Sequence, residues 1–221
     1  MSPTFHRDLE QYSPRWFALH IGKVTASHFK HIMTSDFELR KGETVRSFMH
    51  LKLAETWRGQ LQDPTATSFA MDQGILLEDE AAPWFELEYD CSLARVGFIE
   101  SGRLGCSPDR MRSDDHGWEC KCPQAKTHVG YLLEGRVPLD YVTQVHGSIF
   151  VSGAKRWDFV SYRRGFPALV ITVERDEAIM AKIVATLDSF FAMFDTAMAR
   201  LKELNKPERT PERPKLSDRD E

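Results

Sequence analysis

Long apolar runs are missing from this chain. None approaches the roughly 20 residues that cross a bilayer, and Met1-Ser-Pro-Thr-Phe-His-Arg-Asp8 carries neither the basic nor the apolar region of a secretory signal. A cytoplasmic protein without membrane partners is expected. Cysteine is scarce, with residues 91, 106, 120 and 122 and no Cys-x-x-Cys pair. Cys120 and Cys122 sit too close for an ordinary disulfide framework, and Cys91 and Cys106, even with His116, lack zinc-site spacing. Buried free thiols are the expectation. There are no internal repeats and no excess of basic residues. The net charge of −4 argues mildly against indiscriminate nucleic-acid affinity, although acids crowd Glu78 to Asp90 while many arginines and lysines follow Arg103.

What is present suffices for one substantial core: 221 residues, 42% of them hydrophobic. One domain over 1–205 is expected, followed by a charged, proline-containing disordered tail over 206–221. Apolar periodicity predicts helices over Val24–Met33, Glu43–Arg58, Phe69–Tyr89 (with Pro83 kinking or dividing it), Ala125–Gly135, Leu139–Ser152 and Asp176–Leu204. Strands are predicted over Arg95–Glu100, Leu104–Asp109, Trp118–Lys121, Trp157–Tyr162 and Ala168–Glu174. Helices before and behind a short sheet imply an α/β domain, an α-β-α sandwich around a central mixed sheet.

The chemistry concentrates in Ser107-Pro108-Asp109 and Glu119-Cys120-Lys121. The residues between them are rich in turn formers, as in a hairpin, and the midpoint of 109 and 119 falls in that turn. The two acids therefore face each other, with Cβ atoms about 5 Å apart. Carboxylates this close repel, so one takes a proton or a cation sits between them. Glu119 and Lys121 project from one face of their strand. Two solvated acids at hairpin ends and an exposed lysine are the plain alternative. The pattern itself suits a hard cation with a proton-managing group beside it, as in metal-dependent phosphodiester hydrolysis.

Further motifs give this pattern context. They are Trp16-x-x-x-His20-x-Gly22-x-Val24-Thr25-Ala26-Ser27, Gly74-x-x-x-Glu78, Cys106-Ser107-Pro108-Asp109, Glu119-Cys120-Lys121-Cys122-Pro123, Tyr141-x-x-Gln144 and Val173-Glu174-Arg175-Asp176-Glu177. Their order and spacing, from about residue 12 to residue 200, resemble the phage lambda exonuclease family, the viral recombinase branch of the PD-(D/E)xK nucleases with a restriction-endonuclease-like fold. The resemblance implies a Mg²⁺-dependent 5′-to-3′ exonuclease on linear double-stranded DNA. Such an enzyme releases mononucleotides and leaves a 3′ strand for single-strand-annealing recombination.

By the same resemblance, Asp109, Glu119 and Lys121 are catalytic. Glu78, Asp109, Glu119 and the Cys120 carbonyl hold two Mg²⁺ ions, for which Mn²⁺ can substitute. His20, Thr25, Ser27, Met71, Ser107, Tyr141 and Gln144 bind DNA and its 5′-phosphate, Met71 as a wedge at the duplex end. The family commonly has arginine where this chain has His20, so Arg15 or Lys23 is expected to supply the missing charge if His20 does not. A homotrimeric ring around DNA, a single-strand annealing partner and residence in a host-cell cytoplasm are also implied. The alternatives are an endonuclease or resolvase of the same fold, and a catalytically silent DNA-end binding module.

Overall fold

The computed structural model describes residues 2–62 and 69–205, with side chains for 2–62 and 76–205; the expected tail, 206–221, lies outside the described residues. In chain order the elements are β1 (Thr4–His6), α1 (Pro14–His20), β2 (Val24–Thr25), a 3₁₀ turn (Ala26–His28), α2 (Phe29–Ile32), α3 (Glu43–Arg58), α4 (Phe69–Glu88), β3 (Phe98–Ser101), β4 (Leu104–Cys106), β5 (Arg110–Ser113), β6 (His116–Lys121), α5 (Ala125–Glu134), α6 (Leu139–Ser152), β7 (Arg156–Ser161), β8 (Leu169–Glu174) and α7 (Glu177–Leu204). No helix among the described residues is long and apolar enough to cross a membrane.

Local chemistry sets several boundaries. Ser13 caps α1 by accepting from the Trp16 amide, with Pro14 in the first turn. Asp176 caps α7 through the amides of Ala178 and Ile179. Gly59 and Gly153 end α3 and α6 with φ of 66° and 73°, the left-handed conformation that glycine adopts without penalty.

The strands form two four-stranded sheets, ordered β1-β3-β4-β2 and β5-β6-β7-β8, where the sequence suggested one central sheet. Each is mixed: β2 runs parallel to β4 and β6 parallel to β7, and the remaining pairs are antiparallel. The chain leaves the first sheet after Cys106 and enters the second at Arg110, so Ser107-Pro108-Asp109 is the joint between them. The parallel β6–β7 connection runs through α5 and α6, as a crossover requires.

Helices cover both faces of the second sheet. On one, Ala81, Ala82 and Phe85 of α4 pack on Trp118, Cys120 and Val160. On the other, Val145 and Ile149 of α6 join a core with Met111, Trp157 and Phe159. Strand alternation thus puts Trp118 and Cys120 under α4 and turns Glu119 and Lys121 towards α6.

Two local expectations change. Val24–Met33 is not one helix: Val24 and Thr25 pair in parallel with Leu104 and Gly105, and the helical segment starts only at Ala26. Pro83 does not divide α4, which runs unbroken from Phe69 to Glu88.

α6 lies close against the segment after β2 because position 147 has no side chain. A Cβ at Gly147 would sit 2.7 Å from the Phe29 ring, which is fully buried. Gly147→Ala should therefore destabilise the protein by about 1–3 kcal/mol, despite the roughly 1 kcal/mol that alanine gains over glycine in a helix. Urea unfolding measures this, and a variant as stable as wild type contradicts the packing described.

Candidate active site

The β5–β6 hairpin aligns the two acids. Arg110 pairs with Trp118 and Met111 with Gly117, and the same register one step outward sets Asp109 against Glu119. Asp109 itself precedes β5, and the turn shortens to Asp114-Asp115, because Arg110–Ser113 is strand where the sequence suggested loop. Asp109 Oδ2 accepts from the Cys120 backbone amide at 2.7 Å. Glu119 is 2% exposed, and its Oε1 accepts from both Lys121 Nζ and Gln144 Nε2 at 2.5 Å. Tyr141, one turn before Gln144 on α6, places its ring 5.4 Å from Lys121 Nζ.

Glu78 enters from α4. Arg110, buried beneath it, bonds Asp79 at 2.6 Å, lies 3.4 Å from Glu78 and donates to the Asp109 carbonyl at 3.0 Å. The same residue that follows Asp109 in sequence thus ties α4 to the hairpin.

These acids are electrostatically strained. Burial, then the Glu119 charge, lifts the Asp109 carboxyl well above the usual range. Burial also raises Glu78, opposed by Arg110 and assisted by Glu119. Burial works against a charged Lys121, yet Glu119 and Asp109 outweigh it and hold its pKa above the usual value. Lys121 is therefore a firmly held ammonium that can donate and orient, and is not a free base at neutral pH.

The donor set suits a hard cation. Glu78, Asp109 and Glu119 offer carboxylate oxygens, which Mg²⁺ prefers, and a cation among them would relieve the repulsion that raises their affinity for protons. Among the described residues no three His, Cys, Asp or Glu side chains close into a finished metal shell. Glu119 is turned onto Lys121 and Gln144, and Glu78 faces Arg110.

Beside the acids lies a cavity of about 380 Å³, lined by His20, Thr25, Ser27, Ser107, Gln144 and Lys52 among others. Gln144 belongs to both, so the cavity opens next to Glu119. Thr25 Oγ1 lies 3.0 Å from Ser27 Oγ and 2.8 Å from His28 Nδ1, and Ser107 Oγ accepts from Trp16 Nε1 at 3.0 Å. Thr25 makes no side-chain cap here. The short 3₁₀ turn offers hydroxyls in place of the helix N-terminus that the sequence suggested.

His20 is neutral. Burial lowers its pKa to about 4, its Nδ1–H donates to the Trp16 carbonyl at 2.7 Å, and its ring packs on Trp16 and Phe98. Nε2 is then a lone-pair acceptor, unsuited to an anion. Neither substitute suggested by the sequence lines the cavity: Arg15 is absent from its walls, and Lys23 is bound to Glu100 and to the Gly102 carbonyl.

Several site residues had escaped the sequence reading. Lys52 and Glu55, 2% and 3% exposed, form a 2.9 Å ion pair in the cavity wall. Their signal was an opposite-charge pair three residues apart, interrupting the apolar face of Phe48, Met49 and Leu53. Tyr12 lies close enough to the acids for Asp109 and Glu78 to raise its pKa, after burial, and has a positive φ of 64°. Nothing in its sequence surroundings indicated either property. Met71 and Gly74 lie outside the residues whose side chains are described.

A sheet with helices on both faces and a partly buried acid-acid-lysine cluster on one hairpin belong to a restriction-endonuclease-like fold, which the similar solved structures share. The domain model of the YqaJ-like viral recombinases matches residues 15–155, and the chain belongs to that family. The structure is similar to that of an alkaline exonuclease (LHK-Exo) from Laribacter hongkongensis, with 27% identity, a TM-score of 0.77, and coverage of 87% of this chain and 97% of that one. The same enzyme in complex with dAMP aligns equally well, at 28% identity. A phage-related exonuclease from Haemophilus somnus 129PT shares the fold at 13% identity, with a TM-score of 0.65 and coverage of 83% and 98%. No curated protein matches the sequence.

Two consequences can be measured in EDTA. A buried acid with a raised pKa weakens folding as pH rises above its ordinary value near 4, because the unfolded chain then releases its proton more readily. Asp109→Asn keeps an acceptor for the Cys120 amide and should melt higher than wild type at pH 8, with the gap closing near pH 4. A variant that melts lower at both pH values contradicts this.

The buried histidines act oppositely. His20, at about 4, and His28, lowered by burial to about 3, contribute stability that is present above pH 6.5 and lost as pH falls towards 4. His28→Gln should flatten that loss in a thermal-melt series, and an unchanged slope would show that His28 titrates normally.

Proposed function

We propose that the protein is a Mg²⁺-dependent exonuclease that degrades one strand of linear double-stranded DNA from its 5′ end. It would release mononucleotides and leave a 3′ single strand for annealing recombination. The observation that carries this reading is the Asp109–Glu119 pair, joined by Gln144 to a hydroxyl-lined cavity of a size suited to a terminal phosphate. Family membership and the likeness to the Laribacter alkaline exonuclease support it.

Glu78, Asp109, Glu119 and the Cys120 carbonyl would hold Mg²⁺, or Mn²⁺ in its place. The ion supplies positive charge against the negative charge that develops on the phosphoryl oxygens during hydrolysis. Lys121, kept as an ammonium, orients the attacking water and lowers its pKa. Gln144 holds Glu119 on one side and faces the DNA end on the other. Tyr141 packs beside Lys121 and limits its freedom. Thr25, Ser27 and Ser107 donate hydroxyl hydrogens to the 5′-phosphate, while His20 shapes the cavity without charge. Met71 is proposed as the wedge at the duplex end.

A single nuclease domain over 1–205, a homotrimeric ring, an annealing partner and a host-cell cytoplasmic setting belong to the same proposal. The ring accords with the charge of −4, since encirclement retains DNA without a broad basic surface.

The test is a time course on linear duplex with one 5′-phosphate end and one 5′-hydroxyl end, alongside covalently closed circles. Strand loss should start at the phosphate end, require Mg²⁺, cease in EDTA and spare the circles. Cutting of closed circles overturns the exonuclease reading. Lys121→Ala should lower kcat by about 10²–10⁴-fold, and full activity in it would remove Lys121 from the chemistry. Because His20 is already neutral, preference for the phosphate end should stay flat from pH 6 to 9. A preference that falls with rising pH would show that His20 gains a proton on binding DNA.

A further inference from the structure

The cavity beside Glu119, proposed above to receive a terminal phosphate, has two uncharged histidines in its wall. His20 and His28 both have pKa values well below neutrality, through burial first and through the nearby charge of Lys52 second or third. That charge reaches both rings because Lys52 lines the same cavity. Burying an ammonium is costly unless it is paired, and Glu55 supplies the pairing, Oε2 lying 2.9 Å from Nζ. Glu55 is itself anchored, since the same oxygen accepts from the Gly22 amide at 3.2 Å. An ammonium has three donors, and among the described residues Glu55 is its only hydrogen-bond partner. Among the described residues the other two are open to a ligand.

We infer that Lys52 is the cation that receives the terminal phosphate in this cavity, and that Glu55 is its resident counter-ion. The inference rests on the reading of the cavity as the 5′-phosphate site and adds the residue that sets its specificity. It replaces the charge expected of position 20 with one from α3, in the wall of the same cavity. Thr25 ends β2 and Ser27 follows it on the 3₁₀ turn, Ser107 stands on the joint before Asp109, and Gln144 on α6. With Lys52 from α3, the phosphate would be enclosed by donors from four separate stretches of the chain. Glu55 opposes that binding by its charge while holding the Lys52 side chain in place in its absence.

Removing the pair and removing only its acid should have opposite effects. Lys52→Met alone would leave Glu55 buried and unpaired, so the informative variants are Lys52→Met/Glu55→Gln, Glu55→Gln alone and Lys52→Arg. Binding of dAMP and of deoxyadenosine, measured by calorimetry in EDTA, isolates the phosphate from the metal chemistry. Wild type and Lys52→Arg should favour dAMP by about tenfold or more, the worth of a charge-assisted hydrogen bond. The double variant should lose that preference, and Glu55→Gln should increase it. Retention of the preference in the double variant, or no increase in Glu55→Gln, overturns the role of Lys52 while leaving the phosphate site standing. If wild type does not distinguish the two ligands, the phosphate reading itself fails and the inference with it. Should the double variant not fold, Glu55→Gln decides alone by the direction of its change.

Discussion

Two carboxylates set face to face across a hairpin, Glu119 buried and Asp109 partly so, are the constraint around which this structure is arranged. Asp109 and Glu119 cannot both ionise there without compensation. The protein supplies it from every side: the Cys120 amide on Asp109, Lys121 and Gln144 on Glu119, and Arg110 reaching from the hairpin to Glu78 and Asp79. These partners come from β5, β6 and α6, and Arg110 ties them to the acids of α4, so the packing of helices on both faces of the second sheet serves to hold the acids in place. What remains uncompensated appears as raised proton affinity at Asp109 and Glu78. That is the electrostatic state that a divalent cation relieves.

The hairpin was readable from sequence because its information is local. Turn formers centred on position 114 and the alternation of β6 fix which residues face one another and which share a face. Glu43–Arg58 and Leu139–Ser152 were likewise legible to the residue, each with helical periodicity and a glycine stop. Val24–Met33 misled because its first residues satisfy a helical pattern while their backbone groups are claimed by β4, some eighty residues away. The division into two sheets was hidden for a related reason. Ser107-Pro108-Asp109 reads as the end of a strand, and only the competing partners of β4 and β5 reveal it as a joint.

The charge of the cavity was hidden most completely. His20 lies in a recognisable motif and invites a phosphate-binding role. Its ring is instead packed on Trp16 and Phe98, with one nitrogen spent on a backbone carbonyl. Lys52 lies in no such motif and would be taken for a solvated helix residue. Burial makes His20 an uncharged ring and Lys52 an interior side chain paired with Glu55, and burial depends on how α1, α3 and α6 close around the segment after β2. The close approach of α6 at Gly147 is part of that closure, and it also delivers Gln144 to Glu119.

The central claim is that the acid cluster is a cation site completed by Asp109 and Glu119. Calorimetric titration of Mg²⁺ into metal-free protein near neutral pH, in two buffers of different ionisation enthalpy, tests it most directly. Wild type should bind Mg²⁺ with a heat that differs between the buffers, because the ion competes with the protons that the raised Asp109 carboxyl holds more tightly than an ordinary carboxylate and displaces them to the buffer, and Glu119→Gln should lose the binding. No binding by the wild-type protein, or equal affinity in Glu119→Gln, would contradict it.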